Sequence, residues 1–167
     1  AFAEVSVAGR GLFALEAMLY DDAQSGYGRG DYGCRLATAL AIDLARTGRA
    51  LNEGWHDYAP LLLTPGTAGN TAYLGERDAV QELYTALMTG LEFTKDQRIG
   101  RPMGTFERPR PTRAEAWRAG RPQRNVVLSL EALRGLAGTL AGRALPRTDA
   151  AFAAALAVAK ALDDPDF

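Results

Sequence analysis

A single cysteine and a single histidine among 167 residues remove whole classes of chemistry. Cys34 has no second cysteine to meet, so an internal disulfide and any cysteine-rich zinc site are excluded. Its use as a nucleophile would require a base, and only His56 could supply one. A lone thiol suits cytosol and periplasm alike. Uninterrupted apolar runs fall short of the roughly 18 residues that a membrane span needs; the best, "LATALAIDLA", is broken by Asp43. Neither charge sign dominates: 19 basic side chains face 20 acidic ones, a formal net charge of -1. That balance does not advertise a nucleic-acid or membrane-surface partner. Alternating strand patterns are scarce, no Ser-His-Asp or paired-carboxylate spacing stands out, and the glycines of "GYGRGDYG" lack the strand context of a phosphate-binding loop.

Helical periodicity is what the chain does have. With 47% hydrophobic and 23% charged residues, it is composed like an ordinary globular domain. A first helix is expected from Ala3 to Tyr20, with Val5, Ala8, Leu12, Leu15 and Leu19 inward. The glycine-rich "DDAQSGYGRGD" separates it from a long second helix. Leu36, Leu40, Leu44, Leu51 and Trp55 stripe that helix, and Arg46, Arg49 and Glu53 face water. After "TPGTAGN" a third helix spans Glu76 to Arg98, turning Val80, Leu83, Leu87 and Leu91 inward. "GRPMGTFERPRP" reads as irregular. "TRAE" has the form of a capping box, in which Thr112 and Glu115 would exchange bonds and start a short helix ending at Gly120. Pro122 then suits the first turn of a helix with Val126, Leu130, Leu133, Ala137 and Leu140 inward. A last helix starts near Thr148 and buries Phe152, Leu156 and Ala159. The expected fold class is all-α, a helical bundle formed by residues 1–167 as one domain.

Within "GRGLFALEAMLYD" the carboxylate of Glu16 has Leu12, Phe13, Leu19 and Tyr20 as its helical neighbours, so it is expected to be buried. A buried carboxylate needs a cation, hydrogen bonds or a metal. Arg35, Arg118 and Arg124 are candidate partners; a polar anchor in a ligand cleft is the alternative. The stretch from Arg98 to Arg124 holds eight arginines but only Phe106 and Trp117 as aromatics. It reads as ion-pairing and solvated arginine rather than as a nucleic-acid groove. Arg118 and Asn125 have no local structural duty and are second-site candidates, whereas Glu115 is explained as a cap. His56 beside Trp55 and Asp57 reads as a complement to a helix C-terminus.

In order along the chain, several segments together resemble the imelysin-like proteins: "GLFALEAMLYD", "DYGCRLATALAIDLARTGRALNEGW", "AVQELYTALMTGLEFTKDQRIGRPMG" and "RAEAWRAGRPQRNVVLSLEALRGL". These are bacterial periplasmic and outer-membrane proteins classed as metallopeptidases and linked to iron uptake. The resemblance implies an imelysin-like helical bundle, an exported or lipoprotein-anchored location, and a Gly-x-His-x-x-Glu motif falling on Gly11, Phe13 and Glu16. His and Glu three apart on a helix could share a zinc or iron ion; Phe13 has no lone pair to offer. The expected role is a periplasmic binding or accessory protein without catalytic or metal-ligating residues. The rivals are a metal-dependent peptidase, or an interaction module using the loop from Gly100 to Arg113. The match covers the C-terminal half of a usual member. A preceding bundle, absent from this sequence, is the expected partner beside an unidentified ligand or outer-membrane partner.

Overall fold

The computed structural model describes Ser6 and residues 9–162. These residues are helical with no strands; the only extended pairing is an isolated bridge between Thr105 and Arg108. Six α-helical segments follow one another: α1 Gly11–Tyr20, α2 Tyr32–Leu63, α3 Glu76–Phe93, α4 Arg101–Met103, α5 Pro122–Ala141 and α6 Pro146–Ala161. The all-α expectation holds. By its contacts the chain divides into two compact units, residues 1–63 and 64–167.

In the first unit α1 lies on the N-terminal half of α2. Met18, Ala37 and Leu40 form the buried centre, with Ala14, Leu15, Tyr27 and Leu36 packed against it. The expected inward face of α1 is corrected here. Leu12 and Leu19 are largely exposed, and Phe13 is 64% exposed. Leu15 faces inward as expected, and Ala14 and Met18 join it against α2, because a ten-residue helix docked on a neighbour buries only the stripe facing that neighbour. The part of the first-helix expectation that rests on Ala3, Val5 and Ala8 lies outside the described residues.

The stripe on α2 is covered only along half its length. Leu40 is fully buried, whereas Leu51 and Trp55 stand exposed with Tyr58 beside them. Thirty-two residues of helix run about 48 Å and ten run about 15 Å, so α1 cannot cover the whole of α2.

The second unit packs α3, α5 and α6 around Leu87, Ala137 and Phe152, with Leu91, Leu130, Leu133, Leu136 and Leu140 closing the sides. The inward positions of α5 and α6 stand as expected: Val126, Ala137, Phe152, Leu156 and Ala159 are buried. Pro122 opens α5, where its missing N–H is one of the unpaired first-turn donors anyway. On α3 the register departs by one residue near the start, Ala79 being buried and Val80 exposed. Asp78 sets that start by accepting the Leu74 N–H at 3.0 Å. The preceding loop is organised by buried Asn70, whose Oδ1 accepts from the Ala72 and Tyr73 amides and whose Nδ2 donates to the Thr64 carbonyl.

The expected continuation of α3 to Arg98 exists, but as a π-helix over Thr94–Gly100. Fully buried Thr94 donates its hydroxyl to the Gly90 carbonyl, and Arg101 N–H reaches back five residues to the Asp96 carbonyl. One extra residue per turn rotates the segment relative to α3.

Removing side chains from the two buried centres should register in equilibrium denaturation. Leu40→Ala should cost about 2–5 kcal/mol and Phe152→Ala about 3–5 kcal/mol. Val80→Ser and Leu51→Ser, at exposed positions, should stay within about 0.5 kcal/mol.

Candidate functional site

Gly11 begins α1 with φ of +83°, a left-handed conformation that disfavours any side chain. Arg10, at the cap position before it, sends its guanidinium across to α2. There Asp43, only 9% exposed, accepts from Arg10 Nη2 at 2.9 Å and from Arg46 Nη2 at 2.5 Å. The hydrogen bond from Arg10, reinforced by that from Arg46 and by both positive charges, holds the Asp43 carboxyl below the usual carboxylate range despite its burial. Asp43 therefore ties the start of α1 to the N-terminal half of α2. In the sequence Asp43 stands out only as a break in an apolar run; Arg46 three residues on is the available signal for a paired aspartate.

Glu16 is 8% exposed, as expected, but for a different reason from the one its neighbours offered. Leu12, Phe13, Leu19 and Tyr20 are all exposed, so they do not surround it. Of its expected partners, Arg35 is engaged with the Gly30 carbonyl through Nη1 at 2.7 Å, and Arg124 is exposed, with no ion pair among the described residues. No buried side-chain oxygen or nitrogen among the described residues lacks a partner. Cys34 is half-buried near the start of α2, and its carbonyl accepts the Thr38 hydroxyl. His56 is exposed on α2 and lies seven residues before its last residue, Leu63, which corrects its expected place at the helix terminus.

In the second unit the expected capping box does not form. Pro111–Arg113 makes a single 3₁₀ turn and Ala114 is extended, so residues 115–120 turn rather than form a helix. The Glu115 carboxylate, unused as a cap, accepts from Arg98 Nε at 2.6 Å. Arg98 is presented by the π-helical turn and also lies 4.8 Å above the Phe93 ring. Arg118 lies 4.4 Å above the ring of Trp117, and Asn125 sits half-buried in the first turns of α5, its carbonyl accepting the Ser129 hydroxyl. Ala116 between Glu115 and Trp117 has φ of +56°, an uncommon conformation for a residue with a side chain and a small store of strain. Gly11, Phe13 and Glu16 thus belong to the first unit, and Arg118 and Asn125 to the second.

A half-open apolar cavity of about 520 Å³ lies between the π-helical turn, α5 and α6, lined by Ile99, Met103, Val126, Leu130 and Val158. Its polar group is Gln123, whose Nε2 donates to the Ala159 and Leu162 carbonyls and so satisfies the open C-terminal end of α6. The three-and-four spacing of Gln123, Val126 and Leu130 was visible in sequence, but not that it would border a cavity.

The described residues do not group into a metal centre. Zinc and iron sites draw three or four ligands from histidine, cysteine and carboxylate side chains. Among the described residues no three such side chains are grouped to hold an ion. Phe13 offers an outward ring beside a single carboxylate.

The site and fold define a helical protein in which buried Asp43 is answered by two arginines. The family model described as Imelysin matches residues 1–167, and the chain belongs to that family. Among curated proteins and among solved structures no match is found. No described helix is long and apolar enough to cross a membrane.

Folding stability should follow the charge of Asp43. Its native pKa is depressed, so its contribution is complete above the unfolded carboxyl value of about 3.9 and is lost as pH falls through the lower native value. Asp149, held down by Arg134 at 2.7 Å, adds in the same direction. Denaturation midpoints should therefore fall below about pH 4. Asp43→Asn should lower the neutral-pH midpoint and flatten that fall.

Proposed function

We propose that this imelysin-family protein is an exported binding or accessory protein of the bacterial periplasm, working without peptidase activity. The observation that carries the reading is Phe13. Where the family motif carries an imidazole, this chain has a phenyl ring with no lone pair, and the ring points to solvent rather than into a packed centre. A metallopeptidase needs an ion held by several ligands with an open position for the attacking water. Glu16 alone, with His56 the only histidine, does not make such a set. The family's link to iron uptake favours a metal-bearing ligand over a peptide substrate. Gly11, Phe13 and Glu16 of the first unit are proposed binding positions, and Arg118 and Asn125 of the second unit are separate candidates.

The exposed stripe of Leu51, Trp55 and Tyr58 favours a second feature of this reading. Residues at this spacing on one helix face normally meet another helix. We take that helix to belong to a companion bundle of the same protein, the other half of the family pattern.

Isothermal titration with zinc and iron(II) tests the central claim, beside a peptide-hydrolysis assay with and without chelator. The wild-type chain should show no stoichiometric binding at Phe13 and Glu16 and no metal-dependent hydrolysis. Tight one-to-one binding that disappears in Glu16→Ala would restore the peptidase. Binding gained only by Phe13→His would show a site that keeps its backbone geometry without its ligand.

A further inference from the structure

The loop between α4 and the 3₁₀ turn carries a side chain that nothing in the fold uses. Phe106 is fully exposed, at the tip of a turn that the backbone holds closed. Thr105 and Arg108 exchange both amide–carbonyl bonds, at 3.3 and 3.0 Å. Below them Arg110 N–H donates to the Pro102 carbonyl at 2.8 Å, and Gly104 N–H donates to the Gly100 carbonyl at 3.1 Å. Gly104 takes φ of +60°, and a Cβ there would collide with the Arg108 carbonyl oxygen, so the closure depends on glycine. The ring is thus displayed on a pinned turn instead of being folded back onto the protein.

The charges around the ring share one character. Arg101, Arg108, Arg110 and Arg113 are exposed and make no ion pair among the described residues, and Glu107 is the only acid in the sequence from 100 to 113. This local excess of positive charge stands against a net charge of -1 for the chain. Met103, 59% exposed, adds a second apolar side chain at the base of the loop.

We propose that this loop docks on an anionic lipid surface, with Phe106 entering the headgroup boundary and the arginines meeting lipid phosphates. A protein partner would have to offer a pocket shaped for a convex tip, whereas a lipid interface accepts an apolar tip without one. A single-stranded nucleic acid is bound by grooves with successive stacking platforms, and here one ring stands alone on a projection. One inserted ring with several basic residues gives weak, reversible attachment that weakens with salt, since each arginine near the surface contributes about a fivefold factor. The proposal is independent of the ligand reading above, because the loop contains none of its residues.

Vesicle flotation with the full chain tests it, using phosphatidylcholine vesicles with and without phosphatidylglycerol. The chain should float with the phosphatidylglycerol-containing vesicles only, and added salt should release it. Phe106→Ser should weaken this about tenfold, and the double variant Arg108→Gln/Arg110→Gln by at least as much while reducing the salt dependence. Both variants change exposed side chains and should keep the wild-type far-ultraviolet circular dichroism spectrum. Equal flotation with both vesicle types, no flotation with either, or binding unmoved in both variants would overturn the proposal. So would capture of a single-stranded oligonucleotide at a salt concentration where the vesicles are ignored.

Discussion

A carboxylate taken out of water must be met by a cation or by donors, and Asp43 with Arg10 and Arg46 is how the first unit meets that condition. Arg10 precedes α1 and Asp43 sits in the N-terminal half of α2, so the pair sets where the short helix begins against the long one. The apolar contacts of Met18 with Ala37 and Leu40 then define which stripe of α1 faces inward. Burial of the charges costs desolvation, and loss of one partner would leave the other uncompensated. Leu12, Phe13, Leu19 and Tyr20 are outside because that register leaves them no surface to meet.

The second unit uses the same chemistry at a different kind of junction. A π-helical turn rotates Arg98 toward the irregular chain that follows, and Glu115 accepts it there. A glutamate with the spacing of a cap becomes a tertiary ion-pair partner, since Ala114 is extended and the backbone amides that a capping box needs do not form a helical turn. Between α5 and α6, Arg134 with Asp149 and Lys160 with Glu131 add exposed pairs of small individual weight, while Phe152 and Leu156 supply the burial.

Phe13, on α1 of this imelysin-family chain, turns its ring to solvent three residues before buried Glu16. The packing of the first unit therefore does not depend on that ring. Loop segments show the reverse relation: Gly104 is required by backbone closure, and the side chains displayed beyond it are free of any structural task.

Periodicity in the sequence determined the helical class, the separation of α2 from its neighbours by glycine-rich links, and the inward faces of α5 and α6. Those helices follow their patterns because each is packed along most of its length, so hydrophobic spacing and burial coincide. The sequence also determined that no cysteine or histidine cluster could assemble, since it holds one of each. Tertiary structure alone decided the inward face of α1, the exposure of Leu51 and Trp55, the partners of Asp43 and Glu115, and the cavity beside Gln123. Each of these depends on which neighbour a helix meets and how far that neighbour extends. A short helix on a long one covers only part of its stripe, and an ion pair joins residues whose separation along the chain carries no periodic signal.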